Sequence, residues 1–270
     1  PLTTVEAFMQ VGPTLQGRKG IKRYKIIKEK PTLEDLAQNT SKKVKIDGDE
    51  YELMLQTKAQ VSRYEGVVYT RKLQKNDFTY IQYWFFYSFN DTSSLGGNAI
   101  TRKCGNHQAD WEHISLKINT AKFEAAKDDE GYLKAIEELY FSQHGKGQND
   151  ERKFRKTKDK EVHFEGTHVK AYPARGSHAT YYEPHKGPGY LLIKTLGLYD
   201  HADGKGIALK SQGHLIDLPS QPWSKYAGRW GEISDDICNL AEWFSDASND
   251  GPPGPIQQLP GSDWDMQPKP

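Results

Sequence analysis

The sequence predicts a mainly β protein: a single-domain antiparallel β-sandwich, jelly-roll-like, with a few short helices and long loops. Three observations predict it. Aromatic and β-branched runs bounded by turn formers follow one another closely at residues 51–55, 66–73, 78–89 and 111–118. Helical periodicity is confined to short stretches, and neither a fixed-period repeat nor a second compositional regime interrupts residues 1–250. The remaining 251–270, GPPGPIQQLPGSDWDMQPKP, is rich in Pro and Gly and is expected to run extended over or away from that domain.

Taken in order, residues 2–9 (LTTVEAFM) read as a short helix, because Thr3 or Thr4 can cap it and Val5, Phe8 and Met9 share one face. Residues 17–30 are too basic for a core. In 111–118 (WEHISLKI) the side chains alternate. Trp111, His113, Ser115 and Lys117 face one side, and Glu112, Ile114, Leu116 and Ile118 the other, which sets Glu112 among apolar neighbours. Residues 122–140 carry helix-compatible apolar spacing, and 139–143 lead into the turn at 145–147, so a short helix followed by a strand is expected. The charged stretch 149–161 reads as an exposed loop or hairpin tip. Further strands are expected at 168–172, 179–182, 190–196 and 207–214. Trp223, Tyr226 and Trp230 read as core aromatics.

The chain has 270 residues, with 37 Lys and Arg against 36 Asp and Glu. A net charge of +1 supplies no specific nucleic-acid signal. The longest apolar run, 80–89, is about half a membrane span, and the N-terminus lacks a signal-peptide profile, so a soluble, monomeric chain is expected. Cys104 and Cys238 are the only cysteines, and acceptor patterns for glycosylation occur at Asn39 and Asn90. A Cys104–Cys238 disulfide would suit a secreted protein, with an intracellular or vacuolar location as the alternative.

The densest polar segment is GNHQADWEH, residues 105–113. Asp110 and Glu112 are two apart and so share a strand face, and His107 precedes them in a turn from which it can fold back. One imidazole and two carboxylates suit a divalent metal: Ca²⁺ or Mg²⁺ by oxygen content, with Mn²⁺ or Zn²⁺ left open by the histidine. The competing reading is a structural network in which the carboxylates pair with Arg175 or a lysine. YPARGSH (172–178) sets Arg175 and His178 on either side of a Gly-Ser turn, and His144 ends a strand ahead of Gly145. DHADGKG (200–206) lacks calcium-loop spacing and reads as a turn. There is no Gly-x-Ser-x-Gly elbow, phosphate loop or zinc-protease helix, and Ser177 is a weak nucleophile because His178 beside it faces the opposite way.

GNHQADWEHISLKI, LYFSQHGKG and VKAYPARGSHATYY, with LTTVEAFM and YWFFYSFND before them, resemble the vacuolar protein sorting-associated family of the sixty-two type, over residues 2–230. The FND then H-x-x-D-W-E pattern is also similar to the necrosis- and ethylene-inducing-peptide-like cytolysins, over residues 83–118. Both resemblances imply a β-sandwich. The second implies a divalent cation on Asp91, His107, Asp110 and Glu112 beneath a head-group pocket. This chain departs from that motif at Ala109, where the cytolysins carry a second His, and by the long segment 92–105 after Asp91.

Two functions follow as expectations. One is a metal-dependent hydrolase of a glycan, phosphodiester or lipid head group, with His113, His178, Arg175, Glu112 and His144 as catalytic candidates. The other is a non-enzymatic, metal-dependent glycan- or glycolipid-binding or membrane-damaging protein in peripheral contact with a membrane.

Overall fold

The computed structural model describes residues 2–19, 23–57, 59, 61–91, 106–143, 153–185, 191–193, 198–231 and 251–258. The chain opens with helix α1 (Val5–Gln10), which Thr4 caps by accepting from the Ala7 amide. Strands β1 (Thr14–Lys19) and β2 (Arg23–Glu29) follow, then α2 (Leu33–Gln38) under a Thr32–Asp35 capping box. Next come β3 (Lys43–Ile46), β4 (Asp49–Gln56), β5 (Val68–Lys75), β6 (Phe78–Asn90) and β7 (His107–Asn119). Two helices, α3 (Thr120–Ala125) and α4 (Asp129–Ala135), lead into β8 (Ile136–Phe141). Short strands complete the described chain: β9 (Phe154–Arg155), β10 (Phe164–Glu165), β11 (His168–Val169), β12 (Tyr172–Pro173), β13 (Thr180–Tyr181), β14 (Leu191–Ile193), β15 (Leu198–Tyr199), β16 (Leu215–Asp217) and β17 (Arg229–Trp230).

Two sheets form a β-sandwich. The larger runs β16-β5-β6-β7-β8-β9, and the smaller runs β17-β4-β1-β2 with β3 also on β4. Pairing is antiparallel except where β16 joins β5 and β17 joins β4. Strand β6 is central, between β5 and β7. Tyr80, Gln82, Trp84, Phe86 and Ser88 are all buried on the side that faces the small sheet. Leu15, Leu53 and Leu55 of the small sheet meet Trp84, Phe86 and Trp111 there, and Val5 and Phe8 of α1 close the end. Trp223, Tyr226 and Trp230 are fully buried in this core, as their sequence predicts. Trp111 lies 5.6 Å from each of Trp223 and Trp230, centroid to centroid.

The opposite face of the large sheet holds a second core. Ile114, Leu116, Ile118, Leu139 and Phe141 pack beneath Val162 and Tyr182 from the long segment after β8. A strand buried on both faces reads as a continuous apolar run, which is why β6 and β7 are visible in the sequence.

Several expectations are revised. Residues 17–30 stay out of the core as expected, Gly17 apart, but most of them form the end of β1 and the exposed edge strand β2. Residues 122–140 hold two helices rather than one. No strand forms at 207–214; Ile207 is 74% exposed, and pairing begins at Leu215, where β5 offers Val68–Thr70 as a partner. The start of the C-terminal stretch packs on the domain, with Pro253 bridged to Arg229 and the Trp230 amide donating to the Pro252 carbonyl at 2.8 Å.

Candidate functional site

The alternation of β7 decides which of its side chains can work together. Trp111, His113 and Ser115 face the small sheet, while Asp110 and Glu112 emerge on the other side. Ala109, just before them, holds a left-handed φ of 53° and is fully buried in the inter-sheet core. The histidine that the cytolysin motif carries there has no room in this chain.

Asp110 is 6% exposed, and its Oδ2 lies 3.0 Å from Nδ1 of His178. His178 comes from the turn between β12 and β13, which the Ala174 amide closes by donating to the Ala179 carbonyl at 2.9 Å. Gly176 (φ 79°) and His178 itself (φ 57°) take left-handed conformations in this turn. The imidazole stacks on Tyr87 with centroids 3.8 Å apart and planes within 6°. Tyr87 pairs directly with Asp110 across β6 and β7, so strand register sets these two side by side and the turn brings His178 to both. Burial lowers the proton affinity of His178, against the opposing pull of Asp110.

Glu112 is held well above the ordinary carboxylate range, first by burial and then by the charge of Asp110, with Asp200 adding in the same direction. The Ser142 hydroxyl, which donates to Glu112 Oε2, and the charge of Lys153 oppose that shift. Lys153 is 9% exposed. The segment expected to be an exposed loop therefore carries an ammonium into the site, and continues as β9 on the sheet edge. Asp200 is fully buried and accepts from the hydroxyls of Ser177, at 2.5 Å, and Tyr181. The 200–206 stretch is thus a turn whose first residue is part of the polar centre.

Other candidates lie apart. His113 is on the far face of β7, between Trp84 (4.2 Å) and Tyr140 (4.9 Å), with Nδ1 3.0 Å from Ser115 Oγ. Burial lowers its pKa to about 3, so it is neutral and structural, not a partner of Glu112. Arg175 is exposed and pairs with Asp203 at 2.7 Å, so the expected pairing of the β7 carboxylates with Arg175 gives way to His178 and Ser142. His107 turns its Nδ1 to the Ala109 carbonyl at 2.8 Å. Asp91 follows β6, its amide donating to the Gly176 carbonyl at 2.9 Å. His144, Cys104 and Cys238 lie outside the described residues.

Asp110 and Glu112 supply two oxygen donors on one face, the chemistry a hard cation needs. As arranged, however, Asp110 faces His178, Glu112 takes the Ser142 proton and His107 is turned to its own strand. Among the described residues, no three His, Cys, Asp or Glu side chains converge on one cation position. Sequence reasoning missed Tyr87, Ser142, Lys153 and Asp200. The register of β6 against β7 would have found Tyr87, but no local signal marks Asp200.

Among the described residues no helix is long and apolar enough to cross a membrane. No curated protein and no solved structure matches the chain. The family model described as Vacuolar protein sorting-associated protein 62 matches residues 44–195, more than half of the chain, from β4 and its partner β3 through the Asp110–His178 pair. That family's name fits the vacuolar alternative drawn from the sequence. The chain belongs to the vacuolar protein sorting-associated protein 62 family.

Proposed function

We propose that this chain is a hydrolase acting on a glycan, a phosphodiester or a lipid head group, with His178 and Asp110 as its proton-handling pair and Glu112 as its acid. The observation that carries the reading is the 3.0 Å contact between Asp110 Oδ2 and His178 Nδ1, made across 68 residues of sequence on a buried face. A carboxylate on Nδ1 fixes the tautomer and supports the imidazolium, leaving Nε2 to take a proton from an attacking water. Burial and its acidic neighbours raise the proton affinity of Glu112, which suits it to give a proton to a leaving-group oxygen.

The reading is tested by hydrolysis assays on the three substrate classes with wild type, His178→Ala and Asp110→Asn. Turnover that falls about a hundredfold or more in His178→Ala supports it. A wild type that turns over none of the classes overturns it.

A second reading keeps the divalent cation, Ca²⁺ or Mg²⁺ before Mn²⁺ or Zn²⁺, in a non-enzymatic glycan- or lipid-binding, cytolysin-like protein. What favours it is charge: Asp110, Glu112 and Asp200 share one buried region with Lys153. A cation there would draw on Asp110 and Glu112, with His107 and Asp91 turned inward. Elemental analysis beside Asp110→Asn tests the cation, and the hydrolysis assays separate the readings: stoichiometric metal with no turnover of any substrate class supports the second, and turnover supports the first. Secretion, with Cys104 bonded to Cys238, and peripheral membrane contact go with this second reading.

A further inference from the structure

We propose that Asp200 is a positioning residue, which clamps the turn of residues 174–178 so that His178 is held against Asp110 and Tyr87. This rests on the hydrolase reading for its catalytic meaning, though not for its geometry. Asp200 lies outside the span that the family model matches.

The turn that presents His178 is short and contains two left-handed residues, Gly176 and His178. Left-handed backbone at a non-glycine residue costs free energy and persists only where surrounding contacts determine it. Beside the Asp91 amide, which donates to the Gly176 carbonyl at 2.9 Å, several of those contacts come from one neighbouring segment, residues 200–203. The Ser177 hydroxyl donates to Asp200 Oδ1 at 2.5 Å, next in sequence to His178. The Arg175 amide donates to the His201 carbonyl at 2.8 Å. The Arg175 guanidinium donates to Asp203 Oδ2 at 2.7 Å. Ala202, between them, bridges to His185 in both directions, at 2.8 and 3.2 Å. The second oxygen of Asp200 accepts from Tyr181, one residue past the start of β13, so the same carboxylate holds the turn and the strand that leaves it.

A fully buried carboxylate is costly, and the Ser177 and Tyr181 hydroxyls offset part of that cost. An apolar residue would fill that volume at lower cost, but could not hold Ser177 in place. The direction of Ser177 also matters. The Ser177 hydroxyl is held by Asp200 while the His178 ring, next in sequence, lies on Tyr87, so the two neighbouring side chains of the turn are anchored to different elements.

The test is nuclear magnetic resonance of the histidine rings in the full chain, for wild type, Ser177→Ala, Tyr181→Phe and Asp200→Asn, with His178→Gln to assign the signals. In wild type the His178 ring protons are displaced upfield by the parallel Tyr87 ring, and a low-field Nδ1 proton reports the bond to Asp110. Ser177→Ala, which leaves every charge in place, is expected to lose both signatures while the His113 signals and the melting temperature stay near wild type. On a substrate found for the enzyme, kcat is expected to fall about tenfold with little change in KM. Both signatures intact in a folded Ser177→Ala would overturn the proposal. Should Asp200→Asn fail to fold, Ser177→Ala and Tyr181→Phe still decide it. Lost signatures with no turnover by wild type on any substrate would defeat the hydrolase reading and leave the clamp standing; turnover with signatures unmoved would do the reverse.

Discussion

Two buried histidines, His113 and His178, sit on opposite sides of one strand and have been given opposite surroundings. His113 belongs to the inner face of β7, flattened between Trp84 and Tyr140 with a single hydroxyl at hand. His178 reaches the outer face from a distant turn and meets a carboxylate at 3.0 Å, with Tyr87 behind it. Burial lowers the proton affinity of both, but only His178 has a neighbour that favours its charged form. An imidazole among aromatics contributes packing, and the same ring beside a carboxylate has a partner that favours its protonated form. The two-residue period of β7 assigns those fates.

The largest effect that would sharpen this contrast lies in the inner face. Trp230 is fully buried against Phe8, Phe86, Trp111, Trp223 and Tyr226. Trp230→Ala is expected to cost roughly 3–5 kcal/mol in urea unfolding, since a large aromatic leaves a cavity that its neighbours cannot refill. Below the unfolding transition, the His178 signals should remain those of wild type. Movement of His178 in the folded variant would mean that the two faces are mechanically coupled and the contrast is false.

The acid limb of stability comes next. His113 stays neutral in the fold down to about pH 3, whereas the unfolded chain protonates near the ordinary histidine value of 6.5. Between those values the unfolded state binds more protons, so stability is fully present above about 6.5 and is lost as pH falls towards 3. The loss is on the order of 5 kcal/mol, and His178 contributes in the same direction. Glu112 acts oppositely: its raised value makes the fold the better proton binder, so its contribution is full at acid pH and fades as pH rises through that value. Urea midpoints measured against pH should therefore flatten on the acid side in His113→Phe and on the alkaline side in Glu112→Gln. Parallel curves for wild type and His113→Phe would remove the account of His113 given above.

Asp110→Asn keeps the shape of the site but removes the charge that supports His178. A loss of about 1–3 kcal/mol is expected, the cost of weakening a buried charge-assisted hydrogen bond, together with a further fall in the His178 titration midpoint. Calorimetry and the His178 ring signals measure the two parts separately. A midpoint that rises would show that the carboxylate does not favour the imidazolium.

The long aromatic strands were legible because two cores, one on each face, require an unbroken apolar run, and the placing of Asp110 and Glu112 follows from simple alternation. Strands β1 and β2 were not, for two physical reasons. Gly17 is a poor strand residue, yet it stands where an added Cβ would lie 2.8 Å from the Tyr51 Cβ. Strand β2 is an exposed edge, so its lysines carry no burial pattern. Lys153 was hidden in a run of charge that resembles solvated surface. Asp200 was hidden in a sequence fit for a turn, because its role depends on Ser177 and Tyr181, which reach it through tertiary folding. The separation of His113 from Glu112 was legible, because alternation sets the two on opposite faces of β7, and proximity in sequence along a strand is separation in space.

The smallest expected effect tests the one residue that serves both sides. Ser142 donates its hydroxyl proton to Glu112 on the outer face and accepts from the backbone amide of His113 at 2.9 Å, while its own amide donates to the His113 carbonyl at 3.1 Å. Ser142→Ala removes the two side-chain bonds and leaves the backbone one, at an expected cost of about 1–2 kcal/mol. Loss of the hydroxyl also removes a contact that lowers the Glu112 pKa, so the alkaline limb of the stability curve should move to higher pH while the acid limb, governed by His113, keeps its position. Thermal melts across pH distinguish the cases. An acid limb that shifts together with the alkaline one would mean that the His113 ring, and not only its amide, depends on Ser142, and the two faces of β7 would then have to be treated as a single electrostatic unit.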